Sequence, residues 1–312
     1  MSVAERTAGP PIVVAGEICR DFERSSRLEW LETNHTGGYA MGTVAGVNTR
    51  RYHSLLLASL RPSAERYSIL PRVEERVTLD GAADGAVFEL AAVQYPGVVQ
   101  PHGFDLLEEF RLDPFPIWRY RAHDTTIEKT VCLLDRQPSV LVRYSSSRPC
   151  RLEVRLLLAF RDCHSLMRRN TAVRTTATEQ HGAVTFTPYE DLPPLTILHP
   201  GQFQAQSDWY LNHEYLRELD RGLDFREDLF SPGVLVFDLF PGQPAWFVAT
   251  IEPRGFASPL DTPAVDALLQ SEANRRRFGR ETAFEARLCR ALDQFRIRRF
   301  DGQPSLIAGY PW

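Results

Sequence analysis

Cys150-Arg151-Leu152-Glu153-Val154-Arg155-Leu156-Leu157-Leu158 decides the fold class. Apolar side chains at 150, 152, 154, 156 and 158 alternate with Arg151, Glu153 and Arg155. A period of two marks a strand with one face in the core and the other in water. Ile127, Val131 and Leu133 repeat the pattern beside Glu128, Thr130 and Cys132. The same reading picks out strands at 52–60, 69–79, 87–93, 104–112, 117–123, 140–145, 173–178, 234–240 and 246–251. Asp80-Gly81, Arg136-Gln137-Pro138 and Pro241-Gly242-Gln243-Pro244 are turn signals between them. Strand after strand without intervening helices means sheet on sheet. The expected fold is mainly β, a large antiparallel β-sandwich over residues 12–256, preceded by a flexible N-terminus at 1–11.

The pattern changes after Pro259. Thr262-Pro263 reads as an N-cap followed by proline at the first helical position. Val265, Leu268 and Leu269 then share a helical face. Gly279 interrupts, and Phe284, Leu288, Ala291, Leu292 and Phe295 resume at spacings of three and four. Residues 257–312 are therefore a short α-helical C-terminal segment. Two amphipathic helices cannot enclose a core alone, so they either pack on the sandwich or begin a further helical domain.

The 312 residues are enough for one large domain with an appendage, or for two domains. A net charge of -4 gives no electrostatic footprint for nucleic acid. No apolar run approaches the length of a membrane span, and the N-terminus lacks the pattern of a signal peptide. A cytoplasmic location is the default expectation. Cys19, Cys132, Cys150, Cys163 and Cys289 are odd in number and widely spaced, which fits buried thiols in a reducing compartment rather than disulfides or a metal site.

Two segments carry chemistry. Glu29-Trp30-Leu31-Glu32-Thr33-Asn34-His35-Thr36-Gly37-Gly38-Tyr39-Ala40-Met41-Gly42-Thr43-Val44-Ala45-Gly46-Val47-Asn48-Thr49-Arg50-Arg51-Tyr52-His53 combines close-set glycines with polar and aromatic residues. It has no Gly-Lys-Ser/Thr and no helix after Gly37-Gly38, so it is not a phosphate loop. Asn48, Arg50, Arg51, Tyr52 and His53 set hydrogen-bond donors beside flat rings, as neutral sugars require. The competing reading is a loop locked by its own hydrogen bonds, with the arginines paired to acids elsewhere. The second segment, from Asp208 to Gly233, mixes aromatics with acids and arginines. Its carboxylates could supply a general acid and base, or a network of Arg–carboxylate pairs pinning a long loop or short helix. His213-Glu214 has no second clustered ligand pair, so no metal is expected.

From Glu29 to His53 the chain resembles the signature of the bacterial and archaeal glycogen-debranching enzymes, the amylo-α-1,6-glucosidase type, whose opening reads close to E-W-L-x-T-N-x-x-G-G-Y-A-x-G-T-V-x-G-x-N-T-R-R-Y-H. Trp209 to Gly233 is similar to the family's W-Y-x-N-x-x-Y-x-x-E-x-x-R-G-x-D-x-x-E-D-L-x-x-P-G. Ile307-Ala308-Gly309-Tyr310-Pro311-Trp312 resembles the point where the family's helical (α/α)6 barrel begins. The resemblance implies a supersandwich like the N-terminal domain of glucoamylase-like enzymes and like galactose mutarotases, with the helices as linker and first barrel helices. It places the catalytic carboxylates in the barrel, beyond Trp312, so the chain alone is expected to be inactive.

The implied role is to shape the cleft for an α-glucan, glycogen or a limit dextrin, in glycogen breakdown. Asn48, Arg50, Arg51, Tyr52 and His53 are expected to approach that cleft, and Asn34, Thr36 and Tyr39 are candidates beside them. Asp224, Glu227 and Asp228 are expected to hold the loop or the domain interface. No cofactor or metal is implied. The expected partner is the helical barrel, in cis or in trans. Without it the barrel-facing surface, with Ile307, Tyr310 and Trp312, should be exposed and promote self-association. One rival is a stand-alone α-glucan-binding sandwich without catalysis. The other is a mutarotase-like sugar epimerase using His102, His123, His164 or His213 with Glu108, Glu109 or Glu214.

Overall fold

Arginine and glutamate on one side of Cys150–Leu157 and apolar side chains on the other do form a strand, and it lies at the centre of a five-stranded sheet. The computed structural model describes residues 11–61, 64–79, 86–180, 182–256, 260–277 and 282–311. All but the last residue of the expected flexible N-terminus, the Asp80-Gly81 turn, Gly279 and Trp312 lie outside them.

Ile12–Ala15, Leu107–Leu112, Pro116–Ala122, Thr125–Leu133, Ser139–Ser146, Ala245–Thr250, Leu195–Leu198, Ala183–Phe186 and Ala177–Gln180 follow one another across a nine-stranded sheet. Two five-stranded sheets face it. One runs Gln202–Glu214, Arg226–Leu239, Cys150–Leu157, Arg72–Leu79, Val87–Glu89. The other runs Arg161–Asp162, Ala64–Leu70, Ser54–Arg61, Tyr39–Thr43, Glu29–Thr33. The pairings among the described strands are antiparallel. A single apolar core joins the inner faces of all three sheets, with Trp118, Ile127, Val131, Val142 and Phe247 from the large sheet meeting Val77, Leu152, Val154, Leu235, Leu56 and Ile69. The expected mainly β sandwich is the observed fold.

Lys129, the chain's only lysine, points into this core. Its ammonium lies 2.5 Å from Glu75, over the Trp118 ring, and the Tyr144 hydroxyl donates to the same carboxylate at 2.8 Å. A buried charge is tolerated when it is paired and hydrogen-bonded in this way.

Several strand readings shift. Pro71 splits 69–79 between Ala64–Leu70 and Arg72–Leu79, because proline has no N–H for the ladder. Only the end of 173–178 is extended, in Ala177–Gln180. The segment read as a long loop or short helix is mainly a hairpin of Gln202–Glu214 and Arg226–Leu239, with a single helical turn at Leu216–Leu219 between the strands.

Residues 131–134, Leu141 and residues 245–249 are apolar on both faces because something covers the outside. That cover is the helix Thr262–Arg275. Its Val265, Leu268, Leu269 and Ala273 pack on Cys132, Leu141, Trp246 and Val248, the outward residues of three neighbouring strands. Asp261, not Thr262, is its N-cap and accepts from the Ala264 N–H at 2.9 Å; Thr262 instead accepts from the Trp246 indole. At its C-terminus Arg276 is buried. It donates to Glu32 at 2.7 Å, to the Leu133 carbonyl and to Glu272, and stacks over Phe115. The second helix, Ala283–Asp293, opens with a capping box of Thr282 and Glu285. Phe284, Leu288 and Leu292 share its exposed face.

The chain then returns to the first hairpin. Arg298 N–H donates to the His35 carbonyl, and the Tyr310 ring packs edge-on against Tyr39 at 5.4 Å. Tyr310 is therefore not exposed as expected, because the Tyr39–Tyr52–Leu57–Cys163 cluster receives it. Ile307 is half-buried.

Arg276→Ala would leave Glu32 buried without its cation. Chemical denaturation should show a loss of about 3–5 kcal/mol, most of it absent when Glu32→Gln is combined with it. A loss below about 1 kcal/mol would contradict a buried clamp between helix and hairpin.

Candidate functional site

The first segment is a β-hairpin, Glu29–Thr33 with Tyr39–Thr43, followed by a looped stretch to His53. Gly37 lies at φ 92, and a Cβ on Gly38 would sit 2.9 Å from the Asn34 amide and 3.0 Å from the Leu57 carbonyl. Glycine at these two positions lets the hairpin tip close over Asn34. Asn34 is buried. It donates to the Gln137 carbonyl at 2.8 Å and accepts from the backbone N–H and hydroxyl of Thr36.

His35, in the left-handed region at φ 58, donates to Asp135 at 2.6 Å and to the carbonyl and carboxylate of Asp293 at 3.1 and 3.2 Å. The hydrogen bonds to Asp135 and Asp293 outweigh burial and raise its pKa to about 9. His35 thus latches the second helix to the hairpin tip. Tyr39 is entirely buried, and its hydroxyl donates to the Tyr52 carbonyl at 3.1 Å.

The loop 48–53 is held from inside. Asn48 donates to the His53 and Pro71 carbonyls and lines a 50 Å³ core cavity with Trp30, Trp118 and Lys129. Burial keeps the His53 ring below its ordinary pKa, hence neutral. Nδ1 accepts from the Thr49 N–H, which leaves the proton on Nε2 to donate to Glu29 at 3.1 Å. Arg50 donates to the same carboxylate oxygen at 2.6 Å. Burial alone would raise the Glu29 carboxyl, but the His53 hydrogen bond and then Arg50 outweigh it and hold it at about 2.

Arg51 is where three distant stretches meet. It donates to the His164 carbonyl at 2.7 Å and the Asp224 carbonyl at 2.8 Å, and its Nε lies 3.3 Å from Glu218, which is fully buried. Behind it Arg161 donates to the Arg51 carbonyl at 2.6 Å and forms a two-pronged pair with Glu227. Glu227, also fully buried, accepts in addition from the Tyr215 hydroxyl and the Met167 N–H. Four donors on one buried carboxylate fix 161, 167 and 215 relative to one another, and Arg161 carries the constraint on to 51. The Tyr52 hydroxyl faces His164 Nδ1 at 3.2 Å, with the rings edge-on.

Asp228 accepts from the Arg169 and Asn212 N–H groups, both at 2.9 Å. The Asp224 side chain is exposed, and its part in the network is its carbonyl. Sequence reading did not single out Glu29, His35, Arg161, Tyr215 or Glu218. The available signal for Arg161 was the polar run Arg161-Asp162-Cys163-His164 directly after an apolar strand.

Among the described residues, Asp162, Cys163 and His164 are the group that could hold a metal, with ligand atoms within 4.8 Å. Each already has a local role: burial keeps the Cys163 thiol protonated above its ordinary value, Asp162 accepts from the His164 N–H, and His164 faces Tyr52. Among the described residues no hydrogen bond or ion pair joins the histidines and glutamates of an epimerase: Glu214 pairs with Arg226, Glu108 with Arg121, Glu109 with Arg111, while His102 and His123 lie beside aspartates.

Residues 28–246 match the family model described as glycogen debranching enzyme N terminal. The chain belongs to this family. Both signature segments of this debranching-enzyme N-terminal domain fall inside the match, as do all the site residues named from the sequence. Comparison with curated proteins gives no significant match. Among solved structures, a protein described as a kojibiose phosphorylase from the human microbiome is 11% identical at a TM-score of 0.34, covering 92% of this chain and 38% of its own. A bacterial glucoamylase complexed with acarbose is 8% identical at 0.30, covering 91% and 36%. A mutant of the heparan sulfate lyase HepC from Pedobacter heparinus is 12% identical at 0.29, covering 51% and 21%. The chain thus spans well under half the length of these proteins, and likeness this distant carries no argument about chemistry.

The His35 latch has a pH signature. Its folded pKa of about 9 lies above the ordinary 6.5, so its stabilisation is complete below 6.5 and is lost as pH rises through 9. His35→Gln should cost most stability near about pH 6 and least near about pH 10 in urea denaturation. An equal cost at both would contradict the latch.

Proposed function

We propose that the chain is the cleft-shaping β domain of a glycogen-debranching α-1,6-glucosidase and does not itself break the glycosidic bond. One observation carries this reading: the buried acids of the 208–233 segment are already committed. Glu214 pairs with Arg226, Glu218 with Arg51, and Glu227 with Arg161 and Tyr215. Glycoside hydrolysis needs a pair of carboxyl groups, one able to give up a proton and the other to attack or activate water. Carboxylates whose oxygens are taken up by arginine and tyrosine donors are suited to positioning.

On this reading Arg50, backed by Arg51, offers donors to an α-glucan at the edge where the loops meet, and Thr36 offers its hydroxyl oxygen as an acceptor. Asn34, Tyr39, Asn48, Tyr52 and His53 hold those loops from behind, and Asp224, Glu227 and Asp228 fix the facing hairpin. The catalytic acids belong to a helical partner domain, in cis or in trans, and the complete enzyme acts in glycogen breakdown in the cytoplasm. The exposed apolar stripe of Phe284, Leu288 and Leu292, with Phe300 and Leu306 exposed as well, supports a helical partner.

The test is glucose release from a phosphorylase limit dextrin, together with retardation on glycogen-containing native gels. The chain alone should release nothing above background yet be retarded, and Arg50→Ala should weaken retardation several-fold. Release abolished by Glu227→Gln would overturn the division of labour, and retardation unchanged in Arg50→Ala would remove the proposed edge. Without its partner domain the chain should self-associate, and Leu288→Glu with Leu292→Glu should return it to monomer in light scattering. A monomer before substitution would count against the partner surface.

A further inference from the structure

The outer face of the five-stranded sheet built on Cys150–Leu157 holds a second polar cluster that the arrangement above does not use. Arg72 and Glu74 lie two apart on one strand, and Arg155 is the cross-strand neighbour of Glu74. In the hairpin of Gln202–Glu214 and Arg226–Leu239, Tyr210 pairs with Leu229 and His213 with Glu227, so one extra residue lies between them. That bulge, with Asn212 at φ 59, puts Tyr210 and His213 on the same face although they are three apart. The Ala92–Tyr95 and Val98–His102 hairpin leans over them. Arg72 donates to the Ala92 carbonyl at 2.8 Å, and the Tyr95 ring lies 5.3 Å from His213. The Arg155 guanidinium lies over the Tyr210 ring at 5.0 Å.

What sets this cluster apart is unused hydrogen-bonding capacity. Arg72 is 6% exposed and His213 2%. Among the described residues, Arg72 Nε, Glu74 Oε1 and Arg155 Nη1 have no hydrogen-bond partner. Arg72 Nε and Glu74 face each other at 3.7 Å, too long for a hydrogen bond. Neither His213 nitrogen makes a well-formed bond, although the Tyr210 and Glu227 carbonyls approach the ring. Buried polar atoms left unpaired cost about 1–3 kcal/mol each, so such a concentration calls for a partner.

The chemistry of the missing partner follows from the set. Arg72 and Arg155 are donors and Glu74 is an acceptor, while a neutral imidazole is both. An anion would meet Glu74 and a cation would meet two guanidiniums. Arg76, Glu89 and Glu153 complete the surroundings, leaving three positive and three negative groups with no net charge. A hydroxyl both donates and accepts, and flat rings such as Tyr95 and Tyr210 suit the apolar face of a sugar. We propose that Arg72, Glu74, Arg155 and His213, walled by Tyr95 and Tyr210, form a second carbohydrate contact that takes one neutral hexose unit on the outer face of this sheet. It adds to the edge at Arg50 and Arg51 and does not depend on it.

The test is ¹⁹F NMR of the 312-residue chain carrying 3-fluorotyrosine, with the Tyr95 and Tyr210 signals assigned from Tyr→Phe variants and titrated with maltotriose and, separately, inorganic phosphate. Tyr95 and Tyr210 should shift saturably with maltotriose and stay still with phosphate. Arg155→Ala, checked for an unchanged melting midpoint, should weaken that response about tenfold, the equivalent of losing about 1.4 kcal/mol. A response to phosphate alone would make the cluster an anion site. No response to either ligand would make it a hydrated cluster and overturn the proposal. The Tyr52 signal reports the other edge, so failure of one site is read separately from failure of the other.

Discussion

A carboxylate with no contact to water holds the loops around Arg51 together. Glu227 receives both prongs of the Arg161 guanidinium, the Tyr215 hydroxyl and the Met167 N–H. Arg161 passes the constraint on to the Arg51 carbonyl, and Arg51 reaches Glu218, His164 and Asp224. Three stretches whose contacts span 66, 110 and 173 residues of chain thereby acquire one geometry. A buried ion pair is a poor source of net stability, since desolvation offsets most of the attraction. Its value lies in specificity: a guanidinium fork and a carboxylate accept few arrangements, and a broken pair is costly.

The helical segment extends the same logic to the other side of the first hairpin. Thr262–Arg275 closes the outer face of the nine-stranded sheet, and Arg276 reaches through to Glu32 on the hairpin strand. His35 at the hairpin tip holds Asp293 at the end of the second helix, and Tyr310 lies on Tyr39. The signature segment is thus pinned from two directions, by the long hairpin on one side and by the helices on the other. Its glycines serve the close turn at the tip, and most of its polar atoms serve the protein.

The strands were legible because burial on one face writes a period of two, as in Cys150–Leu157, where Arg151 and Glu153 alternate with residues of the core. Legibility failed where a second layer covered the outside. Cys132, Leu141 and Trp246 blur the alternation because a helix lies on them. It failed again at 208–233, because charges are rarely buried and a stretch rich in acids and arginines looks like a solvated loop. In the fold those residues are the turn end of a hairpin whose Glu218 and Glu227 point inward to guanidiniums from elsewhere in the chain. Nothing local announces that Glu227 will meet Arg161, or that a bulge will turn His213 to the side of Tyr210. The order of residues around Asn34 and Arg51 signalled the family, while the division between groups that hold the loops and groups that face outward became visible only with their partners.

The central claim is that the Arg161–Glu227 pair imposes the arrangement of the three loops. A double-mutant cycle with Arg161→Met and Glu227→Gln, followed by urea denaturation, tests it most directly. Each single substitution should destabilise by about 3–5 kcal/mol, and the double should cost clearly less than their sum, a coupling above about 1 kcal/mol. Small, additive losses would mean that the loops are held by other contacts and that the pair is incidental.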